Sequence, residues 1–254
     1  YNCTYCSNHA IKGVYPNKNK YVRFRSVDNL IKEEIELKAK YPQILHYAFE
    51  DDILYLYKEW YREFSEKHRK LVGLPFHSNI HPALINDDSL HYLKIAGCTK
   101  IQIGLESGND YIRRNILNRS MSNEKFIESV NRAKKMGFEI FTFNLIGIPD
   151  EKPSDILDTI KLNAKIDQDS TQVSILYPFP KTEIYNYAKS RNYISEKKLV
   201  DSIIDDTKLE FPSLSRVQIL VYRRYFVFFV RLYRKIYKSN FAVRKLEKEI
   251  EEIK

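Results

Sequence analysis

Five short apolar runs alternate with stretches of helical spacing along this 254-residue chain, and that alternation limits its fold more than any other feature. The runs Ile44–Phe49, Leu74–Ile80, Lys100–Leu105, Glu139–Ile148 and Thr171–Tyr177 read as strands. Between them, Leu30–Tyr41, Leu54–Leu71, Ser89–Ala96, Asn123–Met136 and Ser154–Ile166 carry apolar residues every three or four positions and read as helices. Ser26 with Asp28, and Ser122 with Asn123, are start signals, while Gly97 and Gly137 are stop signals. Strand and helix joined by short connections imply a parallel sheet wrapped by helices, and such sheets bind ligands at the carboxyl ends of their strands. The residues worth naming fall at those ends: Glu50, Asp51 and Asp52 after the first strand, Glu106, Ser107 and Gly108 after the third, Gly147 and Ile148 at the fourth.

The second constraint is Cys3 and Cys6, in Tyr-Asn-Cys-Thr-Tyr-Cys. Two closely spaced soft thiolates suit one metal centre, and three cysteines in a chain of this length do not make a disulfide framework. By itself the pair fits half a zinc site, a redox dithiol or part of an iron–sulfur ligand set.

Taken in order, Cys3-Thr4-Tyr5-Cys6-Ser7-Asn8, Phe49-Glu50-Asp51-Asp52, Gly104-Leu105-Glu106-Ser107-Gly108-Asn109, Gly147-Ile148-Pro149-Asp150-Glu151 and Tyr177-Pro178-Phe179-Pro180-Lys181-Thr182 resemble a radical S-adenosylmethionine (radical SAM) enzyme. They are similar to the branch whose members often carry a cobalamin-binding domain ahead of the barrel. The resemblance covers roughly the first three quarters of the chain, and Lys181 departs from it where glycine usually follows the proline.

That resemblance implies an α/β fold: a partial TIM-like (β/α)6 barrel lacking its first strand, over residues 1–194, followed by a linker and a helical C-terminal extension over residues 195–254. It implies a [4Fe–4S] cluster whose open iron binds S-adenosylmethionine and whose electron releases a 5′-deoxyadenosyl radical. Cys3 and Cys6 become the second and third ligands of a Cys-x3-Cys-x2-Cys motif, so the first cysteine is expected two positions before Tyr1. On that expectation the sequence is a fragment of a longer protein, inactive as given. Tyr5 is expected against the adenine, and Glu50, Asp51 or Asp52 as acceptors for the cofactor's ammonium. Glu106 and Ser107 are expected near ribose or methionine, and Arg119 near the methionine carboxylate. Asn144, Gly147 and Ile148 are expected to frame the adenine, with the glycine letting backbone approach the ring.

Plainer readings stand beside these. Glu50, Asp51 and Asp52 also suit a helix N-terminus, a role compatible with ligand binding. Cys98 reads as a small buried hydrophobe, and Arg113 with Arg114 as a solvated helical face. His77 and His81 read as structural histidines, with substrate contact as the alternative. A zinc hydrolase would need further ligands than those two.

The net charge of +9 is concentrated in Arg216–Lys238, where basic and aromatic residues interleave without an acid. This reads as an amphipathic helix docked on the barrel or on a further N-terminal domain, with peripheral contact to an anionic membrane as the alternative and no nucleic-acid partner expected. Val243–Lys254, alternating Lys and Glu, reads as a solvated helix. No secretory signal and no run near the roughly 20 apolar residues of a membrane span point to a cytoplasmic setting. The expected function is radical SAM chemistry, in its sharper form cobalamin-dependent methyl transfer, on an unassigned small or lipid-like substrate. A flavodoxin or ferredoxin would serve as electron donor, and cobalamin would come through the upstream domain. The rival is a barrel without a cluster that binds a membrane or nucleic acid through its basic aromatic helix.

Overall fold

The computed structural model describes residues 2–17, 21–195, 202 and 206–239. The expected helix over 243–254 and most of the expected linker lie outside the described residues. Five strands, β1 (Tyr47–Phe49), β2 (Phe76–Asn79), β3 (Cys98–Glu106), β4 (Glu139–Ile146) and β5 (Ser170–Ile175), form one parallel sheet in sequential order, the sheet expected from the alternation and the half-barrel implied by the resemblance. The helices are α1 (Asn8–Val14), α2 (Val27–Lys40), α3 (Lys58–Leu71), α4 (Asp87–Ala96), α5 (Asn123–Lys135), α6 (Pro153–Ile166), α7 (Glu183–Ser190) and α8 (Arg216–Lys238). The short helices α1 and α7, and a π-helical turn at Ile112–Ile116, carry too few residues to show a period in the sequence.

The sequence signals account for the ends of these elements. Ser26 accepts from the Asn29 amide at the start of α2, and Asn86 with Ser89 closes a reciprocal cap on α4. Gly97 ends α4 in the left-handed region, where a side chain would be strained. In β3, Ile101, Ile103 and Leu105 are fully buried on one face, and Lys100, Gln102 and Gly104 alternate with them on the other.

The chain forms two compact units. One comprises residues 12–104 and 124–142, with an aromatic centre in which Phe64 and Phe76 each pack edge-on to Phe49. There His68 is wholly buried, its Nδ1 2.7 Å from the Ala96 carbonyl and its Nε2 3.3 Å from Glu34. The other comprises residues 1–11, 105–123 and 143–254. Its core joins Ile112, Ile116 and Leu117 to Ile156 and Ile160 of α6, Val173 and Ile175 of β5, and Ile219, Phe226 and Val230 of α8. The basic aromatic helix is thus docked through one face, and Arg234 pairs with Asp167 at 2.9 Å.

Candidate metal and cofactor site

Every residue of this site belongs to the second unit described above. The cysteine loop is fixed from both sides by backbone groups. Thr4 donates its amide to the Leu117 carbonyl (3.2 Å) and its hydroxyl to the Ile116 carbonyl (2.6 Å). Asn118, itself at φ 54°, donates its side-chain amide to the Asn2 carbonyl at 2.8 Å, and the Thr4 carbonyl accepts from Ile184 at the head of α7. Between the sulfurs the loop turns on a hydrogen bond from the Cys6 amide to the Cys3 carbonyl, 3.2 Å. Cys3 is buried, Cys6 is half-buried, and both are free thiols.

Arg119 converges on this loop. Its Nη1 lies 3.7 Å from Cys3 Sγ, 3.3 Å from the Tyr5 hydroxyl and 3.9 Å from Glu106 Oε1. Burial would lower the guanidinium's pKa, but Tyr5, Glu106 and Cys3 outweigh it and hold the cation above its ordinary range. Burial also raises Glu106, against the pull of Arg119 and the Tyr5 hydroxyl bond. Tyr5 is pushed well above its usual value by burial and then by Glu106, so it remains a phenol. Its ring packs on the unit's core. Glu106 closes β3 with φ 65°, a left-handed conformation costly for a non-glycine residue and of the kind concentrated at functional sites.

Ser107 is fully buried: its hydroxyl accepts from the Asn109 amide at 3.2 Å and its carbonyl from Arg113 at 2.8 Å. Arg113 corrects the expectation of a solvated face. It is 3% exposed, and besides Ser107 it binds the Met121 carbonyl, Asn123 and Asp110. Asn144 lies within an amide network, donating to Thr171 Oγ1 (2.7 Å) and to the Gln172 carbonyl while accepting from Asn163 of α6. Its side chain therefore faces the helix layer. At Gly147, φ is 72°, and an added Cβ would lie 3.3 Å from both Ile175 and Ile219. Ile175 of β5 and Ile219 of α8 thus pack against that side of the glycine.

Glu151 is the residue that sequence reasoning left unassigned. It is wholly buried, and one carboxylate oxygen accepts the amides of Gly147 (2.6 Å) and Ile148 (3.2 Å). Burial raises its pKa to about 8 against those two bonds. The available signal was a glutamate four positions after the strand-end glycine, amid apolar neighbours.

In the other unit Glu50, Asp51 and Asp52 are exposed in the loop after β1, with the Asp51 carbonyl accepting from Asn79 at 2.9 Å. His77 stacks on His46 with Nδ1 2.8 Å from its neighbour's Nε2, and His81 accepts the Ala83 amide. Cys98 is buried and its thiol is pushed up to about 12 by that burial, as befits a small core residue. Among the described residues no three His, Cys, Asp or Glu side chains converge as a metal site. Two soft thiolates beside a buried cation fit part of an anionic iron–sulfur cluster.

A parallel half-barrel whose dithiol loop is joined through Arg119 to Glu106 at the end of β3 defines an α/β barrel with its candidate site at a strand's carboxyl end. The chain belongs to the radical SAM superfamily, whose pattern matches residues 1–162. It is 25% identical over 237 residues to an uncharacterized methyltransferase of Pyrococcus horikoshii, covering 91% of this chain and 49% of that protein, so it spans about half that relative's length. Its fold is similar to TsrM, a radical S-adenosylmethionine methyltransferase of Kitasatospora setae solved with cobalamin and a [4Fe–4S] cluster (TM-score 0.57, 18% identity, 66% of this chain and 32% of that one). It is also similar to the radical SAM coproporphyrinogen III oxidase of Escherichia coli (TM-score 0.57, 19% identity, 80% and 46%). The cofactors implied by that family are a [4Fe–4S] cluster and S-adenosylmethionine. No helix among the described residues is long and apolar enough to cross a membrane.

Proposed function

We propose that this chain forms the cofactor-cleaving half-barrel of a radical SAM methyltransferase. The observation that carries the proposal is the Arg119 guanidinium 3.7 Å from Cys3 Sγ, inside a pocket of charge closed by Glu106 and Tyr5. Cys3 and Cys6 bind iron through their thiolates, and Arg119 offsets the negative charge that gathers there. Bound there, a [4Fe–4S] cluster supplies the electron that breaks the sulfonium of S-adenosylmethionine. Tyr5 and the core behind it exclude water, and Glu106 keeps Arg119 oriented. Glu151 fixes the Gly147–Ile148 turn, so that strand end is rigid before any ligand arrives.

Methyl transfer as the reaction class is supported by the Pyrococcus horikoshii relative, a methyltransferase by name. Cobalamin as methyl carrier rests on branch resemblance. The test is anaerobic reconstitution, with iron and sulfide, of protein expressed from its complete reading frame, followed by reductant and S-adenosylmethionine. Formation of 5′-deoxyadenosine or of a methylated product that is lost in Cys3→Ala and in Arg119→Met supports the reading. A protein that binds iron and yields neither product refutes it.

A further inference from the structure

Helix α8 is apolar on two opposite faces, and the fold consumes only one of them. Ile219, Phe226 and Val230 are buried in the core against α6 and β5. Val217, Val221, Tyr225, Phe228 and Leu232, spaced four, four, three and four residues apart, form a second stripe along the outer side. Their exposures run from 43% at Leu232 to 69% at Val217, with Phe228 at 60%. Large aromatic and aliphatic side chains aligned over four helical turns on solvent mark a contact surface rather than scattered exposure.

The charges beside the stripe identify the partner's chemistry. Arg216 is paired with Asp206, and Arg234 and Lys238 with Asp167, each at 2.9 Å. Arg224, Arg231 and Lys235 are exposed next to the stripe and have no ion-pair partner among the described residues. The helix contains no acidic residue, so a second copy of this face would meet it cation to cation. A surface that offers both apolar depth and dense negative charge satisfies stripe and cations together, and an anionic bilayer is such a surface.

We propose that α8 lies flat on an anionic membrane, inserting Val221, Tyr225, Phe228 and Leu232 into the interface while Arg224, Arg231 and Lys235 engage lipid phosphates. The helix does not cross the bilayer, because its inner face is committed to the core. This inference does not depend on the cluster or on methyl transfer.

The test is flotation of the full chain with vesicles of phosphatidylcholine, alone or with one quarter phosphatidylglycerol. Binding to the anionic vesicles is expected, with little to the neutral ones and release near 1 M salt, where the Debye length falls to about 3 Å. Neutralising all three cations with R224Q, R231Q and K235Q should weaken partition about 100-fold. Phe228→Ser, at a surface position that leaves the core intact, should weaken it about 10-fold. An unchanged melting temperature in each variant shows that folding is not the cause. The proposal is overturned if the folded chain ignores anionic vesicles or if Phe228→Ser binds like the parent. It is equally overturned if light scattering shows a dimer that Phe228→Ser dissolves while no vesicle binding is seen.

Discussion

Gly108→Ala should damage this fold more than the addition of one methyl group suggests. An ideal Cβ at position 108 would stand 2.4 Å from the Asp158 carbonyl oxygen, 2.6 Å from its carbon and 2.6 Å from Thr159 Cα. All three are backbone atoms in the middle of α6, so no side-chain rotation relieves them. Restoring ordinary contact distances near 3.5 Å requires α6 to retreat by roughly 1 Å. The retreat stretches the 2.8 Å bond from the Gly108 amide to the buried Thr159 hydroxyl and loosens Ile156 and Ile160 from the core. Overpacking of this kind costs about 1–3 kcal/mol and a weakened buried hydrogen bond about 1 kcal/mol more. Together they lower the melting temperature by about 5–15 °C for a chain of this size. Thermal unfolding followed by far-ultraviolet circular dichroism reads the shift. Gly13→Ala is the control: nothing lies within 4 Å of its Cβ and it sits inside α1, so it should be neutral or stabilising by up to about 1 kcal/mol. A Gly108→Ala protein melting within about 2 °C of the parent would refute the reasoning, since α6 could not then be seated against the strand end.

Two further substitutions test the neighbouring turns. Glu151 has a folded pKa of about 8 against an ordinary 4.5, so the folded state holds a proton that the unfolded chain has released. Its stability contribution is therefore full below pH 4.5 and falls by a few kcal/mol as pH rises toward 8. Glu151→Gln keeps an acceptor for the Gly147 and Ile148 amides and should flatten that decline. A urea midpoint whose pH profile does not change would contradict the assignment. Lys181 holds φ 68° where the family's glycine would be unstrained. Relief of roughly 1–2 kcal/mol of left-handed strain, less about 0.5–1 kcal/mol of added unfolded-state entropy, makes Lys181→Gly stabilising by about 0.5–1 kcal/mol. A lower urea midpoint would show that the lysine side chain contributes something the backbone does not.

The fold was legible because the information for it is local. Ile101, Ile103 and Leu105 announce a strand through strict alternation, and Gly97 stops α4 through a conformation that glycine adopts freely. The site was legible only as residue types at strand ends. Arg119 and Cys3 meet across 116 positions of sequence, so their pairing leaves no periodic trace. Arg113 and Arg114 look alike in sequence, yet only the first is buried, because the π-helical turn aims it at carbonyls of Ser107 and Met121. Asn144 sits on a strand whose partner amide, Asn163, comes from the following helix, and no count of spacings along β4 reveals on which face it is bound. The dithiol carried the most chemical meaning for its length, since two soft ligands at that spacing suit a metal or redox centre. Its strained neighbour Glu106 became visible only once φ was known.

Metal content with an electron paramagnetic resonance spectrum, before and after removing each thiolate, tests the central claim most directly. Anaerobically reconstituted protein from the complete reading frame should carry about four irons per chain and, once reduced, the signal of a [4Fe–4S] cluster. Cys3→Ala and Cys6→Ala should each abolish that signal, while Cys98→Ala, which removes only a buried core thiol, should retain it. Zinc in place of iron, or a cluster signal that survives loss of both Cys3 and Cys6, would contradict the assignment of this loop as the cluster's seat.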